Sequence, residues 1–305
     1  MKRREFLWTG AAVVGSAWAD RAVQGHPHVA VDKQHPFRLK YAPHFGMFKH
    51  SAGDDLIDQL RFAAERGFRA WEDTGLTNRP QKVQDQIVNA MRDDGLEMGA
   101  LVAIESYQDA TFAGKSRPRR EQVLDGLRES IELAQRVGAK WLTVVPGTRD
   151  DCCSLATQTG HCMELLDRCC DLVEPAGLVM VLEPISGQAG HSGCLLQSVE
   201  QAYRLCRTLG RPGCKILLDL GRQRLSAEKL VGLLDATWPE IAYIQSGDSP
   251  GRREPGTGHI DYRRVFQHLF RKGYDGIVGM KHGNSLPGVQ GERAVLRAYA
   301  DIDPC

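Results

Sequence analysis

Acidic, basic and amide side chains directly follow a series of short apolar runs in this chain, and their positions point to one shared pocket. Glu183 follows the run 178–182, Asp219 follows 215–218, Gln245 follows 241–244, and Lys281 and His282 follow 276–280. The runs 39–42 and 69–71 contribute His44 and Glu72, and Asp248, Arg252 and Glu254 come soon after Gln245. Carboxylates and cations held together are the groups that move protons and stabilise developing oxyanions. A carboxylate at the end of a buried run needs a partner or a task, because an isolated buried charge is too costly to keep.

These residues meet only if the runs are parallel strands of one sheet closed on itself. Apolar runs at 39–42, 69–71, 97–103, 141–145, 178–182, 215–218, 241–244 and 276–280 alternate with helical patterns at 54–66, 81–94, 120–137, 163–175, 198–209, 227–236, 262–272 and 291–299. Leu124, Leu127, Ile131 and Ala134 show the i, i+3, i+4 spacing of an amphipathic helix. Gly67, Gly95, Gly138, Gly177, Gly210 and Gly273 follow helical stretches, where a left-handed residue turns the chain back into the sheet. Eight such units predict an α/β fold, a single-domain (β/α)8 TIM barrel over 38–305 whose active site lies at the C-terminal ends of its strands. An open doubly wound sheet would call for a glycine-rich phosphate loop after an early strand, and Gly256-Thr257-Gly258 is only a short turn-like stretch.

The first nineteen residues differ from the rest. Lys2-Arg3-Arg4 precedes Phe6-Leu7 and a small, apolar run that ends in Ala17-Trp18-Ala19, the pattern of a twin-arginine export signal over 1–19. The apolar run is too short for a span of ~20 residues, so no membrane anchor is expected. Residues 20–37, with His26, His28 and His35 among Gly and Pro, read as a linker in preference to a metal-binding tract. The formal charge of +1 offers no basic field for nucleic acid or anionic lipid, and the 42% apolar content suits a globular core. A small-molecule partner is expected; oligomerisation is left open. The 9 cysteines include the adjacent pairs Cys152-Cys153 and Cys169-Cys170 but no C-x-x-C motif, and buried inert thiols are the expected reading for most of them.

The stretches Leu182-Glu183-Pro184-Ile185, Leu218-Asp219-Leu220-Gly221-Arg222, Gln245-Ser246-Gly247-Asp248-Ser249-Pro250-Gly251-Arg252 and Glu254-Pro255-Gly256-Thr257-Gly258 resemble the hydroxypyruvate isomerase family of xylose isomerase-like barrels. The resemblance implies an isomerase or epimerase of sugars or hydroxy-carbonyl acids that moves a proton between adjacent carbons through an enediolate. It also implies a divalent metal of the Mg or Mn type held by Glu183, Asp219, Gln245 and a glutamate after the eighth strand. That last position departs from the family pattern: where relatives read Gly-x-Glu, this chain reads Gly279-Met280-Lys281, and the histidine three residues after the aspartate is Arg222. An ammonium at 281, held by Glu183 and Asp219, gives the local charge of three carboxylates around a divalent ion, so Lys281 is expected to replace the metal.

Set against that resemblance, Glu183 and Lys281 are the catalytic candidates, and His44, Glu72, Arg222, Asp248, Arg252, Glu254 and His282 the substrate-binding ones. The expected activity is reduced or altered because the second carboxylate base is missing. The alternative is a non-catalytic sugar-binding or scaffold protein on the same barrel, with Lys281 and Arg222 as salt-bridge repair. Schiff-base chemistry at Lys281 conflicts with two adjacent carboxylates, and an apurinic-site nuclease would need a histidine-rich cluster and a basic surface. Trp71, Phe48 and Tyr107 are candidates to stack on a sugar face, with core packing the commoner use of such rings. The arginine-rich segment 116–120 reads as a solvated loop.

Overall fold

The computed structural model describes residues 36–185 and 193–305. The chain parts into Met1–Asp32 and Lys33–Cys305, and all the described residues belong to the second unit. The export signal expected over 1–19, and the linker over 20–37 except its last two residues, lie outside the described residues.

Every strand runs parallel to its neighbour, as interposed helices require. The strands are β1 (Lys40–Ala42), β2 (Ala70–Trp71), β3 (Glu97–Met98), β4 (Leu101–Ser106), β5 (Trp141–Pro146), β6 (Val179–Leu182), β7 (Cys214–Asp219), β8 (Ile241–Ser246) and β9 (Ile277–Met280). Seven of them form a sheet in the order β1-β9-β8-β7-β6-β5-β4, and β2 pairs with β3. The Glu72 N–H donates to Pro43 O at 2.9 Å and ties the end of β2 to the end of β1, while β3 runs on into β4 through Gly99 and Ala100. The result is a (β/α)8 barrel in which β3 and β4 form one interrupted strand. The run 97–103 breaks because Gly99 passes close beneath two neighbours. Its N–H donates to Trp71 O at 2.8 Å, and a Cβ there would fall 2.7 Å from the Tyr243 hydroxyl oxygen.

The helices are α1 (Lys49–Ala52), α2 (Leu56–Glu65), α3 (Gln81–Asp93), α4 (Arg117–Val137), α5 (Leu155–Val173), α6 (Val199–Leu209), α7 (Ala227–Thr237), α8 (Tyr262–Arg271) and α9 (Gly288–Ile302). The glycines after the helical patterns all have positive φ, from 67° to 89°. Gly138 and Gly210 cap α4 and α6 and donate their N–H groups to Ala134 O and Cys206 O.

Two readings need correction. Segment 116–120 is not a loop: α4 starts at Arg117, with Pro118 in its first turn, and Arg120 is buried, donating to His161 O and pairing with Glu164. Helix α5 begins at Leu155, eight residues before the pattern 163–175, because Ser154 caps it and buried Gln158 and His161 bond across to Asp150, Cys153 and Ala113. Polar side chains do there what apolar periodicity does elsewhere. All the cysteines are free thiols, and six are buried.

Helix stripes pack on the outside of the sheet, with Leu124, Leu127 and Ala134 buried along α4. Inside the barrel Ala42, Ala70, Ala100, Val181, Leu217, Tyr243 and Ile277 form a separate packed layer. Among the described residues no helix is long and apolar enough to cross a membrane. At the start of α6 the Ser198 side chain accepts from Gln201 N while the Gln201 side chain accepts from Ser198 N, a closed capping box. Ser198→Ala is expected to cost about 1 kcal/mol, read as a lower urea midpoint at unchanged slope.

Candidate active site

Strands β6, β7, β8 and β9 end side by side, and their register sets which side chains meet. Asp219 is paired with Gln245, and Gln245 with Gly279. Glu183 continues from β6, its N–H donating to Val144 O at 3.1 Å. Across the barrel Glu72 reaches over Gly279, where any Cβ would collide with its carboxylate. Glu72, Glu183, Asp219 and Gln245 are all buried, at 4%, 7%, 2% and 3% exposure, so each depends on protein partners in place of water.

Those partners form two linked groups. Glu72 accepts from the Tyr243 hydroxyl at 2.7 Å and from Gln245 Nε2 at 2.9 Å, and Lys281 Nζ stands 4.0 Å away. Arg222 Nε lies 3.3 Å from both Glu183 Oε1 and Asp219 Oδ2, and Arg252 Nη1 donates to Asp219 Oδ1 at 2.7 Å. Burial pushes the Glu183 carboxyl up to about 7, against the pull of Arg222 and with the push of Asp219. Burial also raises Glu72, against Lys281 and the Tyr243 hydroxyl.

The structure therefore corrects the expected place of Lys281. Its ammonium sits beside Glu72, and Arg222 faces Glu183 and Asp219 in its stead. The backbone explains the exchange. The Lys281 N–H is tied to Ser246 O at 2.8 Å, whereas Arg222 lies in the short turn Gly221–Gln223 that follows β7, its own N–H donating to Asp219 Oδ1 at 3.1 Å. The Arg222 side chain thus starts beside the carboxylate it neutralises.

Four of the substrate-binding candidates do other work. Asp248 is fully buried and takes the N–H groups of Ser249, Ile260, Gly256 and Gly258 at 2.8 to 3.2 Å, so both its oxygens are spent folding the loop after β8. Glu254 accepts from the backbone and hydroxyl of Ser285 and pins that loop to the one after β9. His282 is buried with Nδ1 against Gly283 O and Nε2 against the Tyr299 hydroxyl, and burial pushes it down to about 4. His44 joins the rims of β1 and β9, its ring nitrogens 3.0 Å from Phe45 O and His282 O. Trp71 and Phe48 are fully buried in the core. Tyr107 hydrogen-bonds Glu105 at 2.7 Å, and its hydroxyl is pushed up by burial and by that bond.

Sequence reasoning missed Tyr243. Its signal was present: Tyr243 and Gln245 stand two apart on one strand and so point to the same side. Arg252, named from the sequence, has a left-handed backbone with φ 53° outside glycine, the kind of local strain that collects at functional sites. Its N–H donates to Asp248 O and its carbonyl accepts from Gly283 N, so the strained turn is held from both sides.

The residues present do not fit a divalent ion. Glu183 Oε1, Asp219 Oδ2 and Gln245 Oε1 are shut off from solvent with no hydrogen-bond partner, as oxygens awaiting a cation would be. Arg222 already supplies that cation to the first two. An ion sharing those carboxylates with a guanidinium ~4 Å away would be repelled by about 8 kcal/mol at an effective dielectric of 20. Glu72, Glu183 and Asp219 are matched one for one by Lys281, Arg222 and Arg252, which leaves no net negative field to draw an ion in.

Residues 60–299 match the family model described as xylose isomerase-like TIM barrel. A putative hydroxypyruvate isomerase of Mus musculus is 24% identical over 81% of this chain and 90% of its own length. The hydroxypyruvate isomerase of Escherichia coli K12 is 26% identical over 54% of this chain and 63% of its own. An AP endonuclease, family 2, from Brucella melitensis superposes with a TM-score of 0.71 at 18% identity, covering 83% of this chain and 96% of that one. The apo form of 3-keto-D-glucoside 4-epimerase from E. coli gives a TM-score of 0.70 at 18% identity, covering 88% and 100%. The IOLI protein, solved with a zinc atom, gives 0.67 at 17% identity, covering 87% and 98%. At these identities the solved structures establish a shared fold.

Arg252→Ala removes one of the two cations on buried Asp219. We expect a loss of about 1–3 kcal/mol by urea unfolding, less than for a fully buried pair because Arg252 is partly exposed and Arg222 remains. An unchanged midpoint would show that the pair contributes nothing.

Proposed function

The chain belongs to the xylose isomerase-like TIM barrel family, and on that premise we propose that it is a hydroxy-carbonyl isomerase acting on a sugar or hydroxy-carbonyl acid. The observation that carries the reading is Glu183, a buried carboxylate at the barrel mouth raised to about 7 beside a guanidinium. A carboxylate so placed is a stronger base than one in water and sits near its midpoint at neutral pH. The names of the curated relatives support the same class of reaction.

In this reading Glu183 removes the proton from the carbon next to the substrate carbonyl and returns it to the neighbouring carbon, while the hydroxyl proton passes from one enediolate oxygen to the other. Arg222 and Lys281, with 26% and 36% of their side chains exposed, offer N–H groups to the two oxygens of the enediolate. Arg252, bound to Asp219, fixes the rim on which the substrate's far end rests. A single base on one face transfers the proton between adjacent carbons on that face, which is isomerisation. Epimerisation needs a proton carrier on the opposite face, and the residue standing where relatives keep a second glutamate is Lys281. The reading therefore favours isomerase over epimerase. Segment 1–19 we propose as an export signal, supported by Lys2-Arg3-Arg4 and the Ala17-Trp18-Ala19 site; mass spectrometry of secreted protein should find Asp20 first.

The decisive measurement is deuterium uptake from heavy water into hydroxypyruvate or a simple ketose, followed by NMR. Wild-type protein is expected to exchange the carbon-bound proton, and Glu183→Gln to slow this at least about a hundredfold. The rate should rise as pH passes through about 7, because the base form of Glu183 then gains population. The same shift has a stability sign. The folded state keeps the proton longer, so stability conferred at low pH declines as pH rises from the ordinary carboxylate range through about 7. Ligand binding without any exchange would leave the barrel as a binding protein and refute the isomerase reading.

A further inference from the structure

We propose that the guanidinium of Arg222 is the resident cation of this site, standing where a shared divalent ion would have to stand, and that the pocket binds its ligand with no metal. Arg222 Nε is equidistant, at 3.3 Å, from one oxygen of Glu183 and one of Asp219. Both contacts lack hydrogen-bond geometry, since Arg222 Nε and the two oxygens are all without a hydrogen-bond partner. The attraction is charge against charge, as with an ion.

The surroundings hold that arrangement in place. Arg252 Nη1 takes Asp219 Oδ1 at 2.7 Å and the Arg222 backbone N–H takes the same oxygen at 3.1 Å, so the carboxylate cannot swing toward another cation without losing both. Gln245 is committed as well. Only its amide nitrogen can donate to Glu72, and that bond turns the amide oxygen the other way. Lys281 adds a cation on the Glu72 side at 4.0 Å. A divalent ion entering this set would have to displace a guanidinium covalently attached three residues from Asp219, and so always at high local concentration. With 26% of its side chain exposed, Arg222 can meet the ligand as the electrophile while Nε stays on the two carboxylates. This inference stands independently of the isomerase reading, because metal content is measured without any activity.

The test uses the full-length protein, purified without chelator, analysed for bound metal and melted with and without Mn2+ or Mg2+. Wild-type is expected to carry less than about a tenth of an equivalent, and its melting temperature to ignore both ions and chelator. Arg222→Gln removes the resident cation and leaves a shorter, neutral amide that keeps the position polar. It should melt lower than wild-type and recover by about 5 °C with Mn2+ at a hundredfold excess over its dissociation constant. Should that variant fold poorly, the double change R222H/K281E supplies a neutral nitrogen and a carboxylate, and is expected to take up about one Mn2+ by calorimetry. Stoichiometric metal in the wild-type, or a wild-type melting temperature raised by Mn2+ as much as that of the variant, would overturn the proposal. Metal-free wild-type that shows no deuterium exchange leaves this inference standing and defeats only the isomerase reading.

Discussion

Burying carboxylates at the mouth of a barrel is the constraint from which the rest of this structure follows. Each ionised carboxylate withdrawn from water costs several kcal/mol even after relaxation. Glu72, Glu183 and Asp219 are withdrawn together, within electrostatic reach of one another. Removing any one cation leaves its partner both desolvated and repelled by its neighbours, so the charges must be supplied as a set. Arg222 carries the heaviest share, because its guanidinium lies 3.3 Å from an oxygen of each of two acids. Guanidinium suits this work better than ammonium. It is planar, more weakly hydrated and always charged, so it bridges two carboxylates at lower desolvation cost.

The cations in turn need a rigid rim, and acidic side chains that look catalytic in sequence are used to build it. Asp248 gathers four backbone N–H groups into a closed turn, and that turn holds Arg252 in a left-handed conformation aimed at Asp219. Glu254 locks the same loop to Ser285, and His282 with Tyr299 and Ser246 forms a buried chain of polar contacts beneath Lys281. His282 is pushed down to about 4 by burial, so it serves there as a neutral ring. Buried polar groups fully satisfied in this way rigidify a site, since moving one strands the others.

The division of labour explains what could be read from the residues alone. Strand ends were legible because continuous apolar runs stop where the barrel mouth begins, so Glu183, Asp219 and Gln245 announced themselves. The glycine just after each of α2, α3, α4, α5, α6 and α8 marked the turn back into the sheet. Pairing was not legible. Whether Lys281 or Arg222 faces Glu183 depends on a backbone bond from Lys281 to Ser246 and on a tight turn after β7, neither of which leaves a pattern in residue types. Nor could sequence separate Asp248 the loop anchor from Asp219 the site acid, since both are acids soon after a strand. The broken third strand and the early start of α5 escaped for a related reason. One is decided by the Tyr243 hydroxyl from a distant strand, the other by polar side chains where apolar spacing is absent.

A guanidinium as resident cation, as proposed for Arg222, would change what a barrel of this kind can recognise. A divalent ion accepts oxygen ligands over a range of directions and rearranges its shell as the substrate changes shape. Guanidinium offers a flat fork of N–H groups with fixed angles, so it favours two oxygens lying side by side in one plane. An enediolate has that shape, with both oxygens on a planar carbon pair, whereas the hydroxy-carbonyl before and after it has one tetrahedral carbon. On the proposed isomerase reading, a fork complementary to the planar species, with Lys281 beside it, would bind the transition state better than either ground state, the condition for acceleration over mere retention. The side-chain cation gives up the greater charge of an ion, which weakens electrostatic stabilisation, but it cannot be lost to chelation or to a metal-poor environment. Rigid anchoring of Arg222 and Arg252 is then what keeps the weaker cation effective, because a fixed donor needs no reorganisation when charge develops.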